Sequence, residues 1–211
     1  MGNIRIPIEA NKIYHIFNHA VGNENLFRKE DNFVYFLKKY HEHISPIADT
    51  FAYCLMPNHF HILLRMKNED ELLKYYNCLN LDPTGFQNPS GVLTKLNSHK
   101  FGNFFNAYTK AYNKMFDRKG KLYQAEFNRR WVHDDEYFRK MVHYIHTNPV
   151  HHNFVKDLSD WKFSSYESFF SVSISNLKRE EVIELFDSLD NFIAFHKRDI
   201  DDKMYLDLES I

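Results

Sequence analysis

Hydrophobic and polar positions recur along the chain with two different periods, and these periods predict its elements. Residues 12–19 alternate in the manner of a half-buried strand, whereas apolar residues recur at helical spacing over 30–43, as in an amphipathic helix. Two runs rich in β-branched and aromatic residues, 47–56 and 59–66, flank a Pro-Asn dipeptide that signals a tight turn. We expect these two runs to pair as a hairpin.

Longer helices are predicted beyond the hairpin. A short helix over 70–78 and a polar loop precede a long helix over 93–116, and 123–132 is expected to be extended. Another helix begins near residue 134. We expect Pro149 to end it at about 147, because proline lacks the N–H that a helical hydrogen bond needs.

The predicted order is strand, helix, strand, strand, helix, strand, helix, which fits the split βαβ plan of ferredoxin-like folds. We therefore predict an α+β fold with a central antiparallel sheet, helices on one or both faces, and extra C-terminal helices. One or two of these last helices, rich in acidic residues, are expected between 178 and 198.

Composition changes this picture little, because 44% of the 211 residues are hydrophobic and 26% are charged, as in a soluble globular domain. No apolar run is long enough to cross a membrane, and the N-terminus lacks the apolar region of a signal peptide. Cys54 and Cys78 are too few for a disulfide framework. We expect both to be buried thiols in a reducing cytoplasm.

Charge is distributed unevenly although the formal net charge is only −1. Residues 95–130 contain nine Lys or Arg and two acids, a local charge of +7, whereas residues 176–211 contain five Lys or Arg and ten acids, a local charge of −5. A basic surface of this kind suits a polyanion, although a solvated helix face gives the same pattern.

Candidate metal ligands lie at the start of the second hairpin strand. In His59-Phe60-His61 the two imidazoles are two residues apart, so a strand places them on the same face. Two such imidazoles form half of a divalent-metal site, and a third ligand must come from elsewhere. A pair of surface or core histidines is the alternative that this short motif leaves open.

A candidate nucleophile lies on the helix that begins near residue 134. Tyr144 and Asn148 are four residues apart, so they share one helical face. A tyrosine hydroxyl is a weak nucleophile at neutral pH, but a nearby cation lowers its pKa and polarises a phosphate. The amide oxygen of Asn148 could supply the missing metal ligand. An ordinary core or surface tyrosine is the alternative that this pair by itself leaves open.

Taken together, these motifs resemble those of the HUH single-tyrosine transposases, in particular the REP-associated tyrosine transposases. The similarity rests on Tyr53 to Leu64, which contains the two histidines, and on Tyr144 to Val150. It extends over roughly residues 12–170. Weaker matches are Tyr14-His15-Ile16, Leu26-Phe27, Gly120-Lys121-Leu122-Tyr123-Gln124 and Trp161-Lys162-Phe163-Ser164-Ser165-Tyr166.

The resemblance implies a role for each matching residue. His59 and His61 correspond to metal ligands for Mg²⁺ or Mn²⁺, and Tyr144 corresponds to the nucleophile that forms a 5′-phosphotyrosine and leaves a free 3′-OH. Asn148 stands where relatives carry a polar ligand, often glutamine. His19 stands where many relatives carry arginine, which is a departure from the family pattern.

The same resemblance implies a metal-dependent endonuclease and strand transferase that acts on single-stranded DNA with hairpin structure. It implies an HUH single-tyrosine transposase domain over 1–170 and an acidic helical C-terminal extension over 171–211. We expect a monomer or homodimer that does not associate with membranes. The location is expected to be cytoplasmic, and nucleoid-associated when the protein acts on DNA.

Four basic residues are candidates for contacts with the DNA backbone: Lys119, Lys121, Arg129 and Arg130. If 123–132 is a strand, alternation places Arg129 and Arg130 on opposite faces, so only one of them would face the active site.

Two other function classes remain as alternatives. A catalytically silent DNA- or RNA-hairpin-binding protein could use the same scaffold, although the complete set of motif residues favours the enzyme. A zinc hydrolase built on the two histidines is disfavoured because no carboxylate is placed as a general base.

Overall fold

A four-stranded antiparallel sheet forms the centre of the molecule in the computed structural model, which describes residues 6–81, 83–85, 87–124 and 126–198. The strands are β1 (Ile13–His19), β2 (Ala48–Leu55), β3 (His59–Met66) and β4 (Asn128–Val132). They lie in the order β2-β3-β1-β4, which is the order expected of a split βαβ plan. The predicted α+β class and antiparallel sheet are confirmed.

Six α-helices occur in the described part of the chain. They are α1 (Glu30–His43), α2 (Glu69–Cys78), α3 (Pro89–Met115), α4 (Asp135–His151), α5 (Arg179–Leu185) and α6 (Leu189–His196). Side chains cap the N-termini of four of them by accepting backbone N–H groups. These caps are Asn68, Asn88, Asp134 and Ser188.

Alternation along the strands gives the sheet two buried faces. On one face, α1 and α3 cover Phe60 and its neighbours, and the ring of Phe36 lies 5.2 Å from that of Phe60 and 4.9 Å from that of Phe104. On the other face, α4 packs over β2 and β3, with the rings of Phe51 and Phe138 5.1 Å apart. The sheet therefore separates two hydrophobic cores.

The chain after residue 170 contributes to the second core. Val182, Phe186 and Phe192, from the segment of α5 and α6, are buried with the residues of α4. The backbone of this segment also reaches the outer edge of β2, where the N–H of Lys178 donates to Thr50 O at 2.9 Å. The division into 1–170 and 171–211 stays a prediction, and residues 199–211 lie outside the described residues.

Three expectations about helix bounds and cysteine burial are wrong. Helix α4 continues to His151, past Pro149. Proline removes only its own backbone N–H from the helix, and the bond from His152 N to Asn148 O still forms at 3.0 Å. Helix α3 begins at Pro89, since Asn88 caps it and proline suits the first helical position. Cys78 is exposed at the end of α2, whereas Cys54 is buried as expected.

Candidate active site

Helix α4 places Tyr144 and Asn148 over the face of β3 that carries His59 and His61. The tyrosine and the asparagine lie one helical turn apart, and the two histidines are the first and third residues of β3. The Tyr144 hydroxyl lies 3.5 Å from Nε2 of His61, and Oδ1 of Asn148 lies 2.9 Å from Nε2 of His59. The four predicted residues are therefore brought together.

His61 is held as a neutral imidazole. Its Nδ1 lies 3.0 Å from Nε2 of His15, and the two rings stack with their centroids 5.1 Å apart. Complete burial, reinforced by the neighbouring His59 and His15, holds the pKa of His61 well below its usual range. A neutral imidazole has a lone pair on one nitrogen, as metal ligation requires.

His59 lies between two amide oxygens. Its Nδ1 is 2.8 Å from Oδ1 of Asn58, and its Nε2 is 2.9 Å from Oδ1 of Asn148. A neutral imidazole carries only one N–H, so it can donate to only one of two acceptors. The Nδ2 atom of Asn148 is buried and has no hydrogen-bond partner among the described residues. A cation between Nε2 of His59 and Oδ1 of Asn148 would be bound by both of these atoms.

The donor set fits a divalent ion. Neighbouring ligands of an octahedral ion with bonds of about 2.1 Å lie about 3 Å apart, close to the 2.9 Å between His59 Nε2 and Asn148 Oδ1. The other nitrogen of each histidine is held by a polar partner, as is usual for ligating imidazoles. Among the described residues no group of three or more His, Cys, Asp or Glu side chains could hold a metal ion, so a metal site here would need the amide of Asn148 as its third ligand.

The site is enclosed except beside His59. Tyr144 and His61 are each 1% exposed, and Asn148 is fully buried. A cavity of about 590 Å³ opens next to His59. Its other lining residues are His19, Asn25, Pro57, Asn58, His152 and Phe154.

Three further histidines border the site, none of which was predicted as a metal ligand. His15 contacts His61, and the rings of His19 and His152 lie 4.7 and 5.1 Å from that of His59. A signal for two of them exists, because His15 and His19 are four residues apart on β1 and share a face. Only the pairing of β1 with β3, which sets His19 opposite His59, shows which face that is.

The four predicted DNA contacts fall on different surfaces. Arg130 pairs in register with His15 and shares the Tyr144 face, whereas Arg129 faces the side covered by α3. This agrees with the prediction that only one of the two faces the active site. Lys119 and Lys121 are exposed in the loop before β4.

The sequence of the chain was compared with protein-family models and with known proteins. No family model matches it. A protein of Haemophilus influenzae named "Putative REP-associated tyrosine transposase" is 26% identical over 118 residues, which cover 56% of this chain and 58% of the relative. The match therefore spans somewhat more than half of that protein.

None of the described helices combines the length and apolar character that a membrane crossing requires.

A solved structure of a REP-associated tyrosine transposase bound to a REP hairpin has a similar fold. The TM-score is 0.55 at 17% identity, over 81% of this chain and 86% of that one. The resemblance predicted from the motifs is thus confirmed: the chain resembles REP-associated tyrosine transposases in sequence over about half of its length and in fold over most of it.

Proposed function

We propose that the protein is a metal-dependent transposase that cuts and rejoins single-stranded DNA at hairpin ends through a 5′-phosphotyrosine intermediate. The observation that carries the proposal is the convergence of Tyr144 with His61, and of Asn148 with His59, from sequence positions more than 80 residues apart. A structural histidine cluster would not require a tyrosine hydroxyl directed at the same imidazole.

The proposed reaction is a transesterification. The oxygen of Tyr144 attacks the scissile phosphorus, the bond to the 3′ oxygen breaks, and the 5′-phosphate becomes linked to the tyrosine. The phenol loses one proton and the departing 3′ oxygen takes one up, so the reaction neither consumes nor releases protons. Because the phosphotyrosine conserves the phosphodiester energy, a DNA 3′-OH can reverse the step without ATP, which makes strand transfer possible.

His59, His61 and Asn148 would hold Mg²⁺ or Mn²⁺. When bound, the ion would neutralise charge on the non-bridging phosphate oxygens and favour ionisation of the tyrosine. His15 and Asn58 would orient the two imidazoles through their second nitrogens, as the 3.0 and 2.8 Å contacts indicate.

The proposed partner is single-stranded DNA with a hairpin. The solved relative is bound to a REP hairpin, and the cavity beside His59 offers a way in for an unpaired strand. Phe154, which is 47% exposed there, can stack on a base. We place the protein in the cytoplasm, associated with the nucleoid when it acts on DNA, as a monomer or homodimer.

The test is formation of a covalent protein–DNA adduct with Mn²⁺ and a pool of single-stranded hairpin oligonucleotides. We expect an adduct with the native chain, none with Tyr144→Phe and none without metal. Tyr137→Phe is the matched control, because it makes the same change on the same helix two turns away, and it should retain the adduct. An adduct that survives in Tyr144→Phe would refute the assignment of the nucleophile.

One observation favours the second candidate, a DNA- or RNA-hairpin-binding protein without catalysis. Tyr144 is only 1% exposed, so a phosphate can reach it only after a rearrangement beside His59. The same experiment separates the two candidates. Hairpin binding without any adduct, under Mg²⁺ and under Mn²⁺, would establish the binding protein.

A further inference from the structure

A loop that leads into α5 presents apolar side chains to solvent. This 170–177 loop follows the 3-10 turn at Tyr166–Phe169. Val172 and Ile174 are fully exposed in it, and Phe170 is 40% exposed. A single exposed apolar residue is common on a soluble protein, whereas a group of them on one surface marks an interaction site. The loop is therefore a candidate interaction surface.

Hydrogen bonds from Arg179 hold the 170–177 loop in shape. The guanidinium group donates to the carbonyl oxygens of Ser168 and Ser173, each at 2.8 Å, and to that of Ser171. The backbone is thus held on both sides of Val172, which keeps the apolar side chains directed outwards. A surface with a fixed shape loses less conformational entropy when it binds, and this favours association.

A cleft of about 200 Å³ adjoins the loop, between α1 and β2. Apolar side chains and aromatic rings contribute much of its wall: Leu37, Ile62, Leu177, Tyr40 and Tyr53. The hydroxyls of Tyr40 and Thr50 bond to each other at 2.7 Å, so they satisfy one another within the protein. A cavity of about 150 Å³ can hold a benzene molecule, so this cleft can take the smaller side chain of an isoleucine.

We infer that two copies of this chain associate through the 170–177 loop and the cleft, with Ile174 of each copy entering the cleft of the other. The projection and the recess are neighbours, because residues 175–177, which follow Ile174 directly, line the cleft. A two-fold axis close to Ser175 can therefore satisfy both contacts at once, as in an isologous interface.

The lack of charge on this surface favours a second copy as the occupant. Residues 168–177 include no Asp, Glu, Lys or Arg, and none is found among the described residues that line the cleft. The next residue, Lys178, lies 3.7 Å from Asp49 and 3.8 Å from Glu181, so its charge is engaged within the chain. Two identical uncharged surfaces meet without repulsion, whereas a strongly charged partner would find no opposite charge there.

The size of the contact predicts a weak dimer. A standard protein–protein interface buries about 800 Å² of each partner. Two exposed side chains and one small cleft provide less than that, so the dimer should dissociate on dilution. Because the contact is apolar, raising NaCl from about 0.1 to about 0.5 M should leave it unchanged or strengthen it.

The inference is independent of the proposed reaction. The cleft is lined by α1, β2 and the 170–177 loop, and neither Tyr144 nor His59 is among its described lining residues. Tyr144→Phe should therefore dimerise as the native chain does, whatever its effect on DNA cleavage. Failure of the interface leaves the adduct experiment unaffected, and failure of the adduct experiment leaves the interface unaffected.

Sedimentation velocity of the full chain without DNA, over a range of concentrations, measures the association. We expect a monomer–dimer equilibrium for the native chain and a dimer at least about tenfold weaker for Ile174→Asp. Leu81→Asp is the matched control, because it makes an apolar-to-acidic change at another exposed residue, outside the loop and cleft. It should alter the dimer by less than about twofold. A native chain that stays monomeric at every concentration would overturn the inference and leave the loop to a different protein.

Ser45→Trp tests the cleft separately from the loop. Ser45 lines the cleft and is partly exposed, so a large side chain there should narrow the cleft while the core stays intact. We expect it to weaken the dimer as Ile174→Asp does, and the melting curves of both variants should show that they are folded. A dimer of folded Ser45→Trp as stable as that of the native chain would overturn the insertion of Ile174 into the cleft.

A disulfide cross-link tests the position of the two-fold axis. Ser175→Cys, combined with Cys78→Ser, should give a covalent dimer on mild oxidation, because the two copies of residue 175 would approach each other at the axis. The native chain is the control, since its exposed Cys78 lies at the end of α2, outside the interface. Cross-linking of the Ser175→Cys variant no faster than that of the native chain would contradict the proposed axis.

Discussion

His59 is the residue at which metal ligation and a simple hydrogen bond can best be distinguished. Its two ring nitrogens face the amide oxygens of Asn58 and Asn148, at 2.8 and 2.9 Å, and a neutral ring cannot donate to both. Rotation of the Asn148 amide would offer Nδ2 to His59 instead, so a hydrogen bond and metal ligation are competing explanations of this contact. The two explanations predict different effects of a substitution of Asn148 on the affinity for metal.

We expect Asn148→Ala to weaken Mn²⁺ binding by about tenfold or more, and Asn148→Asp to preserve or strengthen it, because a carboxylate is a better ligand for a hard cation. Titration calorimetry with MnCl₂ measures both effects. Asn103→Ala, an exposed asparagine on α3, is the control and should bind as the native chain does. Equal Mn²⁺ affinity for Asn148→Ala would mean that the amide only hydrogen-bonds.

A buried histidine near α4 makes stability depend on pH. Burial lowers the pKa of His196 from 6.5 to about 3. Its Nδ1 donates to Phe192 O at 2.8 Å, so its Nε2 accepts from Nδ1 of His146 at 2.9 Å. The rings of His143 and Tyr166 also face it, at 5.5 and 5.3 Å. The side chain is therefore neutral in the folded protein.

The unfolded chain protonates His196 near pH 6.5, whereas the folded protein does so only near pH 3. Its stabilising contribution is thus complete above pH 6.5 and declines as the pH falls towards 3, by about 1.4 kcal/mol per pH unit. We expect His196→Gln to reduce the slope of the unfolding free energy against pH between about pH 4 and 6. The reduction should correspond to about one proton fewer taken up on unfolding. Urea denaturation at several pH values measures this, and an unchanged slope would contradict it.

At the scale of elements, one serine joins β2, α4 and the segment before the 3-10 turn at Tyr166–Phe169. Oγ of Ser165 accepts the N–H of Tyr53 at 2.9 Å and lies 2.8 Å from Nε2 of His146, two residues from the candidate nucleophile. Because Ser165 is fully buried, no water can replace these bonds. The serine therefore helps to fix where α4 lies on the sheet.

Ser165→Ala should lower the free energy of unfolding by about 2–4 kcal/mol, because it leaves a buried N–H and a buried imidazole nitrogen without partners. Thermal and urea unfolding measure the change. Ser45→Ala, at a partly exposed serine whose hydroxyl contacts His41, is the control and should change stability by no more than about 0.5 kcal/mol. A similarly small effect of Ser165→Ala would show that these bonds do not hold α4 in place.

At the scale of the whole molecule, the sheet unites two cores, and α5 and α6 belong to the second. Phe192 of α6 is fully buried, with its ring 4.8 Å from that of Phe169 and 5.1 Å from that of Phe186. Arg65 of β3 also bridges Asp49 and Glu181, which ties α5 to the sheet. The C-terminal helices are thus packed as part of the second core.

Phe192→Ala should destabilise the protein by about 3–5 kcal/mol in a single unfolding transition, as expected for a large core side chain. Phe104→Ala, at a fully buried residue of the first core, is the comparison and should shift the same transition by a similar amount. A separate early transition in Phe192→Ala alone would instead show that the C-terminal segment unfolds independently. That result would support the predicted boundary at residue 170.

Part of the fold and site could be predicted because it depends on local periodicity. The bounds of α1 and β3 were predicted correctly, since each has a clear pattern and a clear terminus. The end of α4 was not, because the bond from His152 N to Asn148 O carries the helix past Pro149. The extended segment before β4 was predicted too long for a related reason, since only 128–132 finds a partner in β1.

The sequence by itself determined the elements, the split βαβ plan of the sheet, and the two motifs that resemble a transposase. Only the tertiary structure decided which side chains meet. Spacing places His59 beside His61 and Tyr144 beside Asn148, but the packing of α4 on β3 unites the pairs. The pairing of β1 with β3 adds His15. Contacts between distant segments follow from how the elements pack, and local patterns do not encode that packing.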